Sequence, residues 1–274
     1  MKLRTTIFLV IFLLITTSTA YALTITCSLF PVYDFTRAIT GNLANVKLLL
    51  KPGIEPHEFE PTALDVKALN DSDVFIFTGK TMEGWAERIS RSLTHTEIID
   101  ASENITLVDN NPHIWLDLEK AQKMLMNIAE KLCVISPENA ETFTDNAKSY
   151  CSKLAELDEK FYALNKNKSL VFAGEFSAQY FLRRYGFNYI SAYEGENEPS
   201  IKKLAQVIKF IQQNRTRYIF SEPLNISQVT RSISEETGAE ILTFDTCHNV
   251  KDENITFLEI MTGNYENVAR VLND

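Results

Sequence analysis

Two of the chain's four histidines follow a proline. His57 lies in Lys51-Pro52-Gly53-Ile54-Glu55-Pro56-His57-Glu58-Phe59-Glu60-Pro61, and His113 lies in Asn111-Pro112-His113-Ile114-Trp115-Leu116-Asp117. Proline fixes the backbone φ, so each imidazole sits on a locally stiff loop, as a metal ligand requires. Two carboxylates occupy comparable places further on. Glu175 follows the apolar run 169–173 across Gly174, and Asp245 closes the run 240–245. Two imidazoles and two carboxylates form a mixed nitrogen and oxygen donor set suited to manganese, zinc or ferrous iron rather than calcium. Taken singly, each is also an ordinary solvated loop residue or cap.

Other polar residues take lesser parts. His248 stands three residues past Asp245 in Asp245-Thr246-Cys247-His248, as an alternative donor or a hydrogen-bond partner of the site. Glu58 and Glu60 keep the mouth of the site acidic without coordinating. His95 reads as a surface residue, and Trp85 and Trp115 as core. The chain shows no Ser/His/Asp set, no phosphate-binding glycine loop and no HExxH. Catalysis at a metal also needs an open coordination position and a substrate pocket, which four enclosing protein ligands would deny. An enzyme is therefore the rival reading rather than the main one.

The elements that must position these residues are short strands alternating with helices. Apolar and β-branched runs at 23–28, 46–51, 73–78 and 96–100 alternate with helical patterns at 31–40, 62–70 and 82–92. Thr62 with Asp65 forms a capping-box signal. After a helix at 118–133, Ser136-Pro137-Glu138-Asn139 begins a second, over 137–164, with Ser as N-cap and Pro in the first position. That helix of about 28 residues would be roughly 42 Å long. Strands at 169–173, 188–192, 217–221 and 240–245 then alternate with helices at 176–185, 200–214, 226–237 and 256–272. The pattern predicts an α/β protein of two lobes, each a mainly parallel sheet flanked by helices. One long rigid helix joins them, with the site in the crevice at the carboxyl ends of the strands.

A short positive start at Lys2 and Arg4, an uncharged apolar run at 7–15 and Ala20-Tyr21-Ala22 read as a secretory signal peptide cut after Ala22. The run is too short to span a bilayer, which takes about 20 residues. No lipobox cysteine follows it, so a free periplasmic or secreted protein is expected. Removing residues 1–22 takes away Lys2 and Arg4 and moves the formal charge from −9 to −11. An acidic chain without basic clusters argues against nucleic acid or anionic lipid as partner. Cys27, Cys133, Cys151 and Cys247 permit up to two disulfides in an oxidising compartment, in three possible pairings.

Several segments resemble the cluster A-I zinc/manganese solute-binding proteins of ABC transporters over nearly the whole mature chain. Phe30-Pro31-Val32-Tyr33-Asp34-Phe35 is similar to the family's first helix start. Pro56-His57-Glu58-Phe59-Glu60-Pro61 and Asn111-Pro112-His113-Ile114-Trp115-Leu116 resemble its first and second ligand loops. Pro137-Glu138-Asn139-Ala140 resembles the start of its interlobe helix, and Glu198-Pro199-Ser200 and Ser221-Glu222-Pro223 further landmarks. The resemblance implies a metal site of His57, His113, Glu175 and Asp245, two from each lobe, with Glu222 beside His248 and Glu58 as an outer or alternative group. Zinc-type members place His where this chain has Glu175, and manganese-type members place Glu there. The segment 103–111 before His113 is short and lacks histidine, unlike the His-rich loop of many zinc-uptake members. Both features lean towards manganese over zinc, with ferrous iron possible. Domain boundaries follow: signal peptide 1–22, N-terminal lobe 23–117, helical segment 118–166 and C-terminal lobe 167–274. The implied function is capture of a divalent transition metal by a monomer that hands it to a membrane permease. A metal-binding adhesin on the same scaffold is the second alternative.

Overall fold

The computed structural model describes residues 22–174, 177–193, 198–224, 226–248 and 250–274. Glu175 and most of the expected signal peptide lie outside them. The first sheet contains β1 (Leu23–Cys27), β2 (Ala44–Leu48), β3 (Val74–Phe77) and β4 (Glu97–Asp100), in the order β2-β1-β3-β4 with every pair parallel. Between the strands run α1 (Phe30–Thr40), α2 (Ala63–Asn70) and α3 (Gly84–Ser90). β3 is the uninterrupted apolar stretch Val-Phe-Ile-Phe and is buried throughout, as a strand covered on both faces must be. The capping box forms as expected: Thr62 Oγ1 accepts from the Asp65 N–H at 3.3 Å, and Asp65 returns the bond to the Thr62 N–H at 2.8 Å.

Two helices follow, α4 (Leu118–Ile135) and α5 (Ala140–Ala163). They run antiparallel, because Cys133 of α4 meets Ala140 and Thr144 while Cys151 of α5 meets Gln122. The expected single strut is thus one arm of a helical hairpin, and its start is later than the sequence suggested. The Ser136 hydroxyl bonds the Glu138 carboxylate at 2.5 Å instead of a backbone N–H, and Pro137–Asn139 form a 3-10 turn. The α5 arm of 24 residues is about 36 Å long.

The second sheet contains β5 (Leu170–Phe172), β6 (Tyr189–Ser191), β7 (Tyr218–Ser221) and β8 (Glu240–Thr243), in the order β6-β5-β7-β8, again parallel. Its helices are α6 (Gln179–Tyr185), α7 (Ile201–Asn214), α8 (Gln228–Thr237) and α9 (Phe257–Asn273). Serine N-caps begin α7 and α8, where Ser200 and Ser227 accept from the N–H groups of Lys203 and Thr230. The two sheets share one apolar core, and a smaller cluster around Phe75, Phe77 and Trp85 lies beneath α2 and α3. Trp115 is fully buried and His95 exposed, as expected.

A buried polar seam joins the lobes behind the core. Asp34 of α1 accepts from the Tyr150 hydroxyl of α5 at 2.6 Å and from the Phe257 N–H at the start of α9 at 3.0 Å. The carboxylate thus meets an orphan donor at a helix N-terminus. All four cysteines are free thiols, Cys27 and Cys247 buried and Cys133 and Cys151 half-buried. Among the described residues, no helix is long and apolar enough to cross a membrane.

Candidate metal centre

Three imidazoles meet at the carboxyl ends of the strands, one each after β2, β4 and β8. His57 sits in the 3-10 turn Pro56–Glu58, whose N-cap Glu55 accepts from the His57 N–H at 3.2 Å. His113 caps the 3-10 turn Ile114–Leu116. Its Nε2 lies 3.3 Å from Nε2 of His57. Imidazole nitrogens sharing one tetrahedral ion at the usual bond length stand about 3.3 Å apart. His248 lies near the pair, its ring centre 5.7 Å from that of His113 and 6.2 Å from that of His57; among the described residues no three His, Cys, Asp or Glu side chains stand close enough to hold one ion.

Two of the rings, His113 and His248, are fixed from behind. Asn111 Oδ1 accepts from the His113 N–H and stands 2.9 Å from His113 Nδ1. Because a backbone N–H can only donate, the amide atom facing it is oxygen, so Nδ1 carries the ring proton and Nε2 keeps its lone pair. His248 Nδ1 lies 2.7 Å from Thr246 Oγ1, and its Nε2 faces Glu55 Oε2 at 3.9 Å. The turn that presents His248 is itself tied on both sides. Asp245 Oδ1 accepts from the Cys247 N–H at 2.8 Å, holding Cys247 at φ 63°. Asn264 brackets the Asp245 backbone with two bonds of 2.8 and 2.7 Å, and Trp115 donates to the Thr246 carbonyl at 2.7 Å.

Burial holds the His113 and His248 imidazoles neutral. The His113 pKa lies well below its ordinary 6.5, from desolvation first and then from His248 and His57. His248 is lowered to about 4 by desolvation and by His57. Neutral nitrogen is the metal-binding form. Asp245 is raised to about 6 by burial, against the lowering effect of the Cys247 N–H.

The structure brings His57 and His113, named from the sequence as ligands, beside His248, named as an alternative donor. Asp245, expected to coordinate, also shapes the turn before His248, its Oδ1 accepting from the Cys247 N–H. Glu222 supports the same turn, its Oε2 3.4 Å from the Thr246 N–H. Glu58 is exposed, and Glu60 faces Arg88 at 3.6 Å on the surface. Glu175 lies outside the described residues, although Gly174 before it is placed: a Cβ there would stand 2.7 Å from Ser221 Oγ and 3.2 Å from Ser221 Cα, so only glycine lets β5 end so close to β7. Sequence reasoning missed Glu55, Asn111 and Thr246 as supports. The signal for Asn111 was its place two residues before His113, the reach of an Asx side chain to backbone.

Known proteins are similar in sequence and fold. The family described as zinc-uptake complex component A, periplasmic, matches residues 25–271. The zinc-binding protein AdcA of Streptococcus pyogenes serotype M3 is 31% identical over 245 residues, covering 77% of this chain and 48% of the relative. The high-affinity zinc uptake system protein ZnuA of Bacillus subtilis is 27% identical over 269 residues, covering 86% and 83%. The Zn(II)-bound ZnuA-like domain of Streptococcus pneumoniae AdcA superposes with a TM-score of 0.80 at 29% identity, covering 93% of this chain and 100% of that domain. The chain spans about half the length of the AdcA relatives it matches. With the family match running through both sheets and all three histidine loops, the chain belongs to the ZnuA family of periplasmic zinc-uptake components.

Proposed function

We propose that this chain is the exported solute-binding protein of an ABC transporter, that it captures one zinc ion between its lobes and delivers it as a monomer to a membrane permease. The observation that carries the reading is the pair of Nε2 atoms 3.3 Å apart, with a third, buried imidazole nearby. We assign His57, His113 and His248 as donors, with Glu175 as the carboxylate on the family pattern and Asp245 as the support of the His248 turn. The lobes correspond to 23–117 and 167–274, linked by 118–166. Three nitrogens favour zinc over manganese, because imidazole suits zinc where carboxylate suits manganese. The lean to manganese followed from Glu175 and from the short histidine-free segment before His113; His248 as a donor would restore the third nitrogen. The site serves binding rather than catalysis, since donors from both lobes enclose the cargo.

Metal-free protein equilibrated with equal zinc, manganese and ferrous iron, then analysed for bound elements, tests this. One zinc per chain is expected. His57→Ala, His113→Ala and His248→Ala should each weaken zinc by more than about 100-fold, beyond what loss of an outer support does, whereas Asp245→Asn should weaken it about 10-fold. Protein that retained no metal would end the reading. Equal losses in Asp245→Asn and His248→Ala would return Asp245 to the donor set.

A further inference from the structure

His113 follows a tight left-handed turn of the kind that Asp and Asn tolerate. Asp109 and Asn110 both have left-handed backbones, φ 53° and 55°, and the Asn111 N–H closes the turn onto the Val108 carbonyl at 2.9 Å. Two consecutive left-handed residues make a type I′ turn, which in a two-residue hairpin is held by a second bond, from the first N–H to the fourth carbonyl. Here that second bond is replaced. The Tyr180 hydroxyl of α6 accepts from the Val108 N–H at 2.8 Å and donates to the Asn111 carbonyl at 3.1 Å. Gln179, next to it on α6, accepts from Asn111 Nδ2 at 3.1 Å. Non-glycine residues in the left-handed region persist where surrounding structure over-determines them. In this molecule that structure belongs to the opposite lobe.

The chain of contacts runs on to the metal-facing atom. Tyr180 holds the Asn111 backbone, Asn111 Oδ1 holds Nδ1–H of His113, and that bond leaves Nε2 bare. We propose that Tyr180, assisted by Gln179, is a positioning residue that sets the tautomer and aim of His113 from the C-terminal lobe. The inference rests on the reading of His113 as a zinc donor, but its first consequence is visible without zinc. A tilt of α6 away from the 108–111 turn releases Asn111 and loosens one donor while leaving His57 and His248 in place. This gives the two-lobed scaffold a means of lowering zinc affinity when its lobes shift.

The experiment uses nitrogen-15 NMR of the histidine rings in the full metal-free protein, together with zinc affinity and release rate by chelator competition. Wild type should show His113 as a single Nδ1–H tautomer. Asn111→Ala, which removes the acceptor, sets the size of the full effect. Tyr180→Phe keeps the buried ring and should give a mixed tautomer at His113 alone, with zinc bound about 10-fold more weakly and released correspondingly faster. A tyrosine that merely packed between lobes would alter thermal stability and leave the His113 ring signals unchanged. Unchanged His113 signals in Tyr180→Phe overturn the proposal whatever zinc does. If the tautomer shifts while wild type binds no zinc, positioning stands and the zinc reading fails.

Discussion

The two lobes use the same sheet, with corresponding strands in the same order, yet hold their histidines differently. In the N-terminal lobe His57 and His113 ride on long loops after the edge strands β2 and β4. In the C-terminal lobe His248 follows β8 by five residues, in a turn closed by Asp245 and Asn264. Long loops are pliable unless tied, and the ties come from across the cleft. Tyr180 of α6 braces the turn before His113, while Trp115, two residues after His113, anchors Thr246 beside His248. Each lobe thus supports a donor of the other. The lesson is that a site between two domains need not be two half-sites brought together; its rigidity can itself be shared.

That comparison can be broken most forcefully at tryptophan. Trp115→Ala and Trp85→Ala each remove a buried indole, and each should destabilise the metal-free protein by about 4 kcal/mol in denaturant unfolding. Only Trp115→Ala should also weaken zinc, because Trp85 packs against Phe59 and Phe75 inside the N-terminal lobe. Equal zinc losses in the two variants would show that affinity follows general stability rather than the brace across the cleft.

Two buried groups, Glu83 in the N-terminal lobe and His248 in the C-terminal lobe, titrate with opposite sign. Glu83 is buried where β1 and β3 end, bonded by Ser28 and by the Thr78 and Gly79 N–H groups, and desolvation raises its pKa from 4.5 to about 7. A raised folded pKa gives stability that is complete below 4.5 and lost as pH rises through about 7. The loss is on the order of 3 kcal/mol. His248 works in the opposite sense: its folded pKa of about 4 against 6.5 means stability is lost as pH falls through that interval, because the unfolded chain takes the proton first. Unfolding of metal-free Glu83→Gln across pH 5 to 8 should show the alkaline loss flattened and the acid loss intact. A variant as pH-dependent as wild type above pH 6 would remove Glu83 from the account.

The smallest effect sharpens the seam. Arg183 and Arg184 are neighbours on α6, but Arg184 is nearly buried among Asp117, Glu119 and Asp158, whereas Arg183 faces Asp109 at 3.8 Å in solvent. Arg183→Ala should change stability by less than about 0.5 kcal/mol in thermal unfolding. A larger change would mean that the surface pair, and not Tyr180, secures the left-handed turn.

Much of this was legible in the residues. Alternating apolar runs and polar helices gave away both sheets, and Ser200, Ser227 and Thr62 marked helix starts because their hydroxyls have few better uses than an orphan N–H. Ser136 carries the same signal and failed, since Glu138 offered its hydroxyl a closer acceptor. The proline-pinned histidines stood out for the same reason they work: proline removes freedom. The shape of the turn between Asp245 and His248 was not legible, because it depends on Cys247 taking a left-handed backbone that no residue preference favours. The Tyr180 brace joins residues 72 positions apart, and no local pattern announces it.

The free cysteines carry a consequence for how the molecule could be watched at work. Cys27 lies in β1 beside Thr36, and burial pushes its thiol up to about 12; Cys247 lies in the His248 turn, also fully buried and raised well above 9. A thiol reagent meets neither until the surrounding backbone opens, and attack needs the thiolate. The chain therefore carries one built-in reporter in each lobe. The labelling rate at Cys27 clocks separation of the first sheet and that at Cys247 clocks release of the donor turn. Slower labelling of Cys247 with unaltered labelling of Cys27 on loading would locate the cargo's grip in time as well as in space.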